Sequence, residues 1–338
     1  MTAAVDSPTW ATTLPDYPVA LSVRPSAVLA ASADGTAVAL DPATGTQTHA
    51  CAVPDGLLAA EMSPKGRRAL LCGPDGALLW TLGDAPLPIG PRGWASRARW
   101  ADDEVGAVSV GKRVVIADTT TGQQWASTPM PSTVTDLAWI GGRRTIAVAA
   151  YGGVTLLDAT PDGRSAVKSF VGSLLALATT RDGRWIVSGN QDASLQVFSA
   201  ARDTRLEMQG FHTKITRVAF DASEEHLAND GAPEVTVWGF RGRGPEGTSP
   251  ILVTESEGPG TADTFAWHPR SPFLATAWRS GRIEVADVRR GRRGKPLPGT
   301  EVGSVGARVA ALAWTDDGRG LIVADRDGRV RRITAVVR

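Results

Sequence analysis

Eight hexapeptides recur along the chain: VALSVR, LAAEMS, SRARWA, TDLAWI, LALATT, TRVAFD, DTFAWH and AALAWT. Their fifth residues are Val23, Met62, Trp100, Trp139, Thr179, Phe220, Trp267 and Trp314, spaced 39, 38, 39, 40, 41, 47 and 47 residues apart. A second register runs alongside. A later strand in each unit ends in an apolar residue followed by a short one, as in Leu40-Asp41, Trp80-Thr81, Leu157-Asp158, Trp238-Gly239 and Ala286-Asp287. Between these strands stand Asp34-Gly35, Asp75-Gly76, Gly152-Gly153, Ser280-Gly281 and Asp327-Gly328, which supply the positive φ that tight hairpins require. No sustained helical periodicity competes with this pattern.

A period near 40 residues built from short strands is that of propeller blades. One four-stranded blade cannot bury both of its faces, so blades must stack around a channel until the ring closes. The expected fold is an all-β propeller of four-stranded antiparallel blades, eight in number, or seven if one weakly patterned early unit fails to form. The last unit stops at Arg338 without room for a fourth strand, and residues 10–14 have no blade of their own. Residues 1–17 are therefore expected to supply the missing outer strand, and residues 18–338 the eight units, within a single domain spanning 1–338.

The unit GFHTKITRVAFDASEEHLANDGAPEVTVWGF, from Gly210 to Phe240, resembles a repeat of the WD40 family with its Gly-His opening split by Phe211. The resemblance implies that His212, Asp230 and Trp238 form a hydrogen-bonded structural set. PSTVTDLAW with IAVAAYGGVTLLD, and DGRWIVSGNQDASLQVF with LEMQGFHTKITRVAF, resemble a bacterial WD40 family often encoded beside CobW-type metal-chaperone GTPases. What that resemblance implies is a non-enzymatic interaction scaffold, with such a GTPase as partner and metal homeostasis as the process.

Charge and composition narrow the alternatives. The 36 Lys and Arg nearly cancel the 35 Asp and Glu, so no global field draws the protein to nucleic acid or an anionic membrane. Two cysteines, Cys51 and Cys72, are too few for a disulfide scaffold and read as reduced thiols. No apolar run approaches the roughly 20 residues that cross a bilayer. The chain reads as a cytoplasmic protein, expected to be monomeric, with no cofactor.

The candidate binding residues sit at turns. Tyr151, Gln191, Asp192, Arg279 and Arg326 lie between second and third strands, and Lys214 just before a first strand. Trp278, at the end of ATAW, has two readings: a core residue, or an aromatic exposed on the ligand-bearing face, where such side chains are over-represented. The same residues serve a second hypothesis, an enzyme or a small-ligand or metal-binding propeller that uses its central channel. RRGRRGK, with Arg289, Arg290, Arg292 and Arg293, is either a solvated flexible loop or a site for a phosphate-bearing or acidic partner, strengthened by Arg241 and Arg243.

The tryptophans at the shared repeat positions, Trp100, Trp139, Trp267 and Trp314, and likewise Trp80 and Trp238, read as core. GRGPEG, from Gly242 to Gly247, lacks the strand-to-helix context of a dinucleotide loop and reads as a long loop. His49, Cys51 and Cys72 form at most a weak metal constellation, and the DRDG at 325–328 lacks the later ligands of a calcium loop. No nucleophile has a base at motif spacing.

Overall fold

The structure, a computed structural model, describes residues 9–142, 144–161, 163–203 and 205–335. The first eight residues of the expected closing segment and the last three of the chain lie outside the described residues. Each unit begins with a strand lining a central channel and builds outward through antiparallel neighbours. The first unit runs Pro18–Val23, Val28–Ser32, Thr36–Leu40 and Gln47–Ala52, paired in that order.

Inner strands follow one another around the channel and the cycle closes. Pro18–Val23 neighbours Ala59–Met62 on one side and Val309–Trp314 on the other. Closure is made by Trp10–Thr13, which pairs antiparallel with Arg329–Thr334 as the outer strand of the last unit. Trp10 and Leu14 are buried there with Val28, Leu40, Ile322 and Val330, and the Trp10 indole donates to the carbonyl of Pro42 at 3.1 Å. Apolar clusters bridging adjacent sheets repeat around the ring. One joins Leu29, Met62, Leu71 and Trp80, each side chain worth roughly 1.5–3 kcal/mol on full burial.

The eight blades expected from the repeats do not appear as eight separate sheets: the described residues form seven. The reason lies in one sheet of six strands. Thr145–Asp158 pairs through residues 145–149 with Asp136–Ile140 and through residues 151–157 with Ser165–Thr179. The latter strand then continues to pair with Ile186–Asn190. Tyr151 sits opposite Ser173, so the ladder, with a register shift between Tyr151 and Gly153, carries on from one repeat into the next.

A second departure from simple blades was invisible in the sequence. The segment after the basic run adds a fifth strand to the neighbouring sheet: Pro296–Pro298 pairs in parallel with Ile251–Thr254. Proline is tolerated there because a sheet edge needs only alternate donors.

The repeat-position tryptophans do more than fill space. Trp100 Nε1 donates to the carbonyl of Glu61 at 2.9 Å, Trp139 to Arg99 at 3.1 Å, Trp267 to Ala219 at 3.0 Å and Trp314 to Ala266 at 3.1 Å. In each case the acceptor lies on the inner strand of the preceding repeat. Where Thr179 replaces tryptophan, its hydroxyl donates to Trp139 O at 2.9 Å, one residue further along the preceding inner strand.

Candidate functional site

One hydrogen bond recurs around the ring and defines a face. In five repeats the turn after the second strand donates a backbone N–H to the residue that leads into the inner strand: Ala33 to Tyr17 at 2.9 Å, Gly111 to Trp94 at 2.8 Å, Gln191 to Ser173 at 3.0 Å, Arg279 to Thr261 at 2.8 Å and Arg326 to Arg308 at 2.9 Å. At Tyr151 the acceptor is Ser132 Oγ at 2.8 Å. Turns and links are thereby gathered on one side of the ring. Tyr151, Gln191, Asp192, Arg279 and Arg326 all lie there exposed, and Lys214 stands exposed in the link at 209–215.

Trp278 does not join them. It is 0 % exposed, because its place in the strand is still within the ladder, opposite Ala262. The indole turns into the blade and donates to Glu284 Oε2 at 3.2 Å. Its reading as an exposed binding aromatic is corrected to a core residue. Glu284 also accepts from Ser256 N at 3.1 Å, and burial pushes its carboxyl up against those hydrogen bonds.

The exposed apolar surface falls largely on the same face. Among the described residues, the exposed large hydrophobic side chains are Tyr17, Leu87, Trp94, Tyr151, Val167 and Val171. Of these Tyr17 and Trp94 lie in links of this face, and Tyr151 and Val171 lie in the two strands that meet at Tyr151 and Ser173 on the same side. Trp94, Tyr151 and Val171 follow one another along an arc of successive repeats, whose links are joined by Val134 N to Gly111 O at 3.0 Å and Tyr151 N to Ser132 Oγ at 2.8 Å. Beside Trp94 opens a groove of about 270 Å³ walled by Pro54, Gly56, Gly76, Ile89 and Pro91. An Arg92–Asp75 ion pair at 2.6 Å guards its rim.

The central channel is a second candidate. It encloses about 560 Å³ and is lined by inner strands from all around the ring. Its charged residues are Glu61, Arg97, Arg99, Asp136 and Arg217. Asp136 is fully engaged: it accepts from Leu137 N at 2.9 Å, Leu177 N at 2.8 Å and Arg99 Nη2 at 3.0 Å, with Arg97 Nε at 3.7 Å. It ties three consecutive repeats together and holds the Arg99 guanidinium above its ordinary range. Burial pushes the Glu61 carboxyl up, with Arg99 and Arg24 pulling the other way.

The basic run is ordered rather than flexible. Val288–Arg290 forms a 3₁₀ turn capped by Asp287, which also holds Arg289 at 2.8 Å and Arg290 at 3.3 Å. Arg292 and Arg293 are exposed. Arg241 pairs with Glu225 and Arg243 with Glu246, so much of the expected patch is neutralised locally.

The expected structural set is also rearranged. Trp238 Nε1 donates to Asn229 Oδ1 at 3.1 Å, and Thr236 Oγ1 to the same atom at 2.7 Å. Asp230 instead caps the start of an inner strand, accepting from Thr216 N at 2.9 Å and Arg217 N at 3.1 Å. The His212 ring is exposed and takes no part. The inserted Phe211 packs toward Trp238, 6.5 Å between rings, and displaces the histidine outward.

Cys72 is buried with Sγ 3.4 Å from Arg97 O, while His49 and Cys51 lie on the outer strand Gln47–Ala52. Burial raises the thiols to about 12 and about 11 respectively. Among the described residues, no group of three or more His, Cys, Asp or Glu is placed to hold a metal. Asp325 caps its own turn through Asp327 N at 3.1 Å and Arg329 N at 3.0 Å. Gly244 of the GRGPEG turn packs on Trp185.

Sequence reasoning missed Trp94, Val171 and the channel charges. The signal for the latter was present in the hexapeptides. Arg97, Asp136 and Arg217 are second residues, and Glu61 and Arg99 fourth residues, of their hexapeptides; alternation turns those positions to one face of the strand.

No family model matches the chain, and no curated protein does. Solved structures do. The computationally designed Ika8 protein superposes with a TM-score of 0.77 at 17% identity, covering 96% of this chain and 98% of that one. The C-terminal WD40 domain of Sif2 gives 0.73 at 12% identity, over 97% and 99%. The β-propeller domain of Cps50 (Swd1) from Myceliophteria thermophila gives 0.65 at 12% identity, over 98% and 99%. At these identities the similarity concerns the fold, a propeller of the WD40 kind.

Proposed function

We propose that this propeller is a non-enzymatic protein-interaction scaffold that docks its partner on the face carrying the second-to-third-strand turns. The carrying observation is the arc of Trp94, Tyr151 and Val171, exposed by 53%, 54% and 88% on one face beside an apolar groove. Exposed aromatics on a rigid backbone make interface anchors, because a partner can desolvate them with little loss of conformational freedom. Arg279, Arg326, Lys214, Gln191 and Asp192 provide a polar rim beyond the arc.

The ring is read here as eight repeat units, two of them fused in the six-stranded sheet, within a single domain closed by residues from the N-terminal segment. Support comes from the eight hexapeptides, each of which contributes an inner strand. In its finer form the reading is of a cytoplasmic, monomeric bacterial accessory to a CobW-type metal-chaperone GTPase, acting in metal homeostasis. That form rests on the sequence resemblance of the middle third of the chain.

The test uses purified protein and a purified CobW-type GTPase in isothermal titration, with wild type and the double variant Trp94→Ala/Tyr151→Ala. Saturable binding by wild type, weakened at least about tenfold in the variant, is the expected result. Binding that the variant retains in full would refute the docking face. Absence of binding by wild type would refute the GTPase as partner.

A further inference from the structure

The channel carries an inference independent of the docking face. We propose that the central channel binds a small dianionic oxyanion, held by Arg217 and Arg97. Both are second residues of their hexapeptides, TRVAFD and SRARWA, so they sit at the same depth. The rest of that layer includes four alanines, from the first, second, fifth and last repeats. Small side chains leave the channel open at this depth.

The charge balance at this depth is positive. Asp136 is the carboxylate of the layer, and it is already consumed by two backbone N–H groups and Arg99. Arg97 reaches it only at 3.7 Å and spends one nitrogen on Ser96 O at 2.7 Å. Among the described residues, Arg217 has no ion-pair partner; its guanidinium lies 5.9 Å from the centre of the Phe265 ring. Solvent reaches Arg217 through the channel, yet the surrounding protein pushes its pKa down, with Asp230 opposing. A cation lining the channel with no carboxylate paired to it is free to take a bound anion.

The floor of the site is built differently. One layer deeper, about 7 Å along the strands, stands Glu61, whose Oε2 is buried and has no hydrogen-bond partner among the described residues. Burial favours its protonated form, and a protonated carboxyl donates to an oxyanion where a second carboxylate would repel it. Two planar guanidinium forks match a phosphate or a paired carboxylate, and not a metal ion or an apolar molecule. The cavity volume of about 560 Å³ accommodates a small organic ligand bearing such a group.

The experiment is isothermal titration of the full chain with inorganic phosphate and, separately, with citrate, each against sodium chloride at matched ionic strength. The same titrations are run on Arg217→Gln, Arg97→Gln and Arg217→Lys, with far-ultraviolet circular dichroism as the check of folding. One saturable site per chain is expected for at least one of the two anions. It should weaken at least about tenfold in either glutamine variant and recover in part with lysine. Binding of phosphate alone would assign a phosphate-bearing ligand, and binding of citrate alone a polycarboxylate. No saturable heat from either anion would overturn the proposal, as would binding that both folded glutamine variants retain unchanged. If neither glutamine variant folds, Arg217→Lys decides: an affinity equal to that of wild type rejects the bidentate site.

Discussion

Glu61 shows how one residue can be legible as a pattern and opaque as chemistry. Its hexapeptide, LAAEMS, places a carboxyl where the other repeats carry serine, alanine or, once, arginine. Only the closed ring reveals that the position is half-buried against the channel. Because burial raises its folded pKa, the folded protein keeps a proton that the unfolded chain releases above the ordinary glutamate value of about 4.3. The contribution is therefore fullest below that value and is lost as pH rises through the raised one. Glu61→Gln mimics the protonated form and does not suffer this loss. Chemical denaturation from about pH 4.5 to pH 7.5 should show the variant gaining stability over wild type as pH increases. A difference that is flat, or that shrinks with pH, would count against the buried-acid description. Trp278 teaches the opposite lesson: its position beside a turn invited an exposed reading, and the strand register buried it.

The insertion between Asp287 and Thr300 illustrates the same limit at the level of an element. Its composition, Gly-rich and basic, reads as a mobile loop, yet the chain after it hydrogen-bonds to a neighbouring repeat. Leu252 N donates to Lys295 O at 3.2 Å, Gly294 N to Pro250 O at 2.7 Å, and Pro296–Pro298 completes the edge. A parallel pairing 40 or so residues away in sequence has no local signature, because parallel strands need a long crossover whose content is free to vary. The strand protects an edge that would otherwise template association. Replacing residues 296–298 with Gly-Ser-Gly should speed amide hydrogen exchange at residues 251–254 and leave exchange in Arg68–Gly73, which lies in another repeat, unchanged. Equal rates at residues 251–254 in both proteins would show that the strap contributes no protection. The fused sheet through Tyr151 and Ser173 is likewise a tertiary matter: two glycines mark the turn, and nothing local marks the bridge.

At the scale of the whole molecule, stability depends on closure. Each repeat packs against two neighbours, so opening the ring exposes two apolar faces at once. Trp10→Ala removes an indole that is 7% exposed and bonded to Pro42, a change that typically costs about 3–5 kcal/mol. In urea the variant should unfold in a single transition with a lower midpoint, because the other repeats lose their partners together. A separate early transition, with the remainder unfolding at the wild-type midpoint, would show that the closing strand is an appendage.

What the sequence by itself determined is the repeat: the strand-and-turn register, the apolar positions between sheets, and the need for closure. These are local or periodic properties, set by alternation, positive-φ glycines and the inability of one blade to bury itself. Even the inward positions of the channel charges were readable once the hexapeptides were aligned. Tertiary structure alone decided which polar groups meet. Asp136 gathers partners from three repeats, Asn229 takes the place offered to His212, and Arg217 has no ion-pair partner among the described residues. The Asp136 bonds join residues 37 and 41 positions apart in adjacent repeats, and the repeat pattern constrains where such residues stand without dictating which of them are charged.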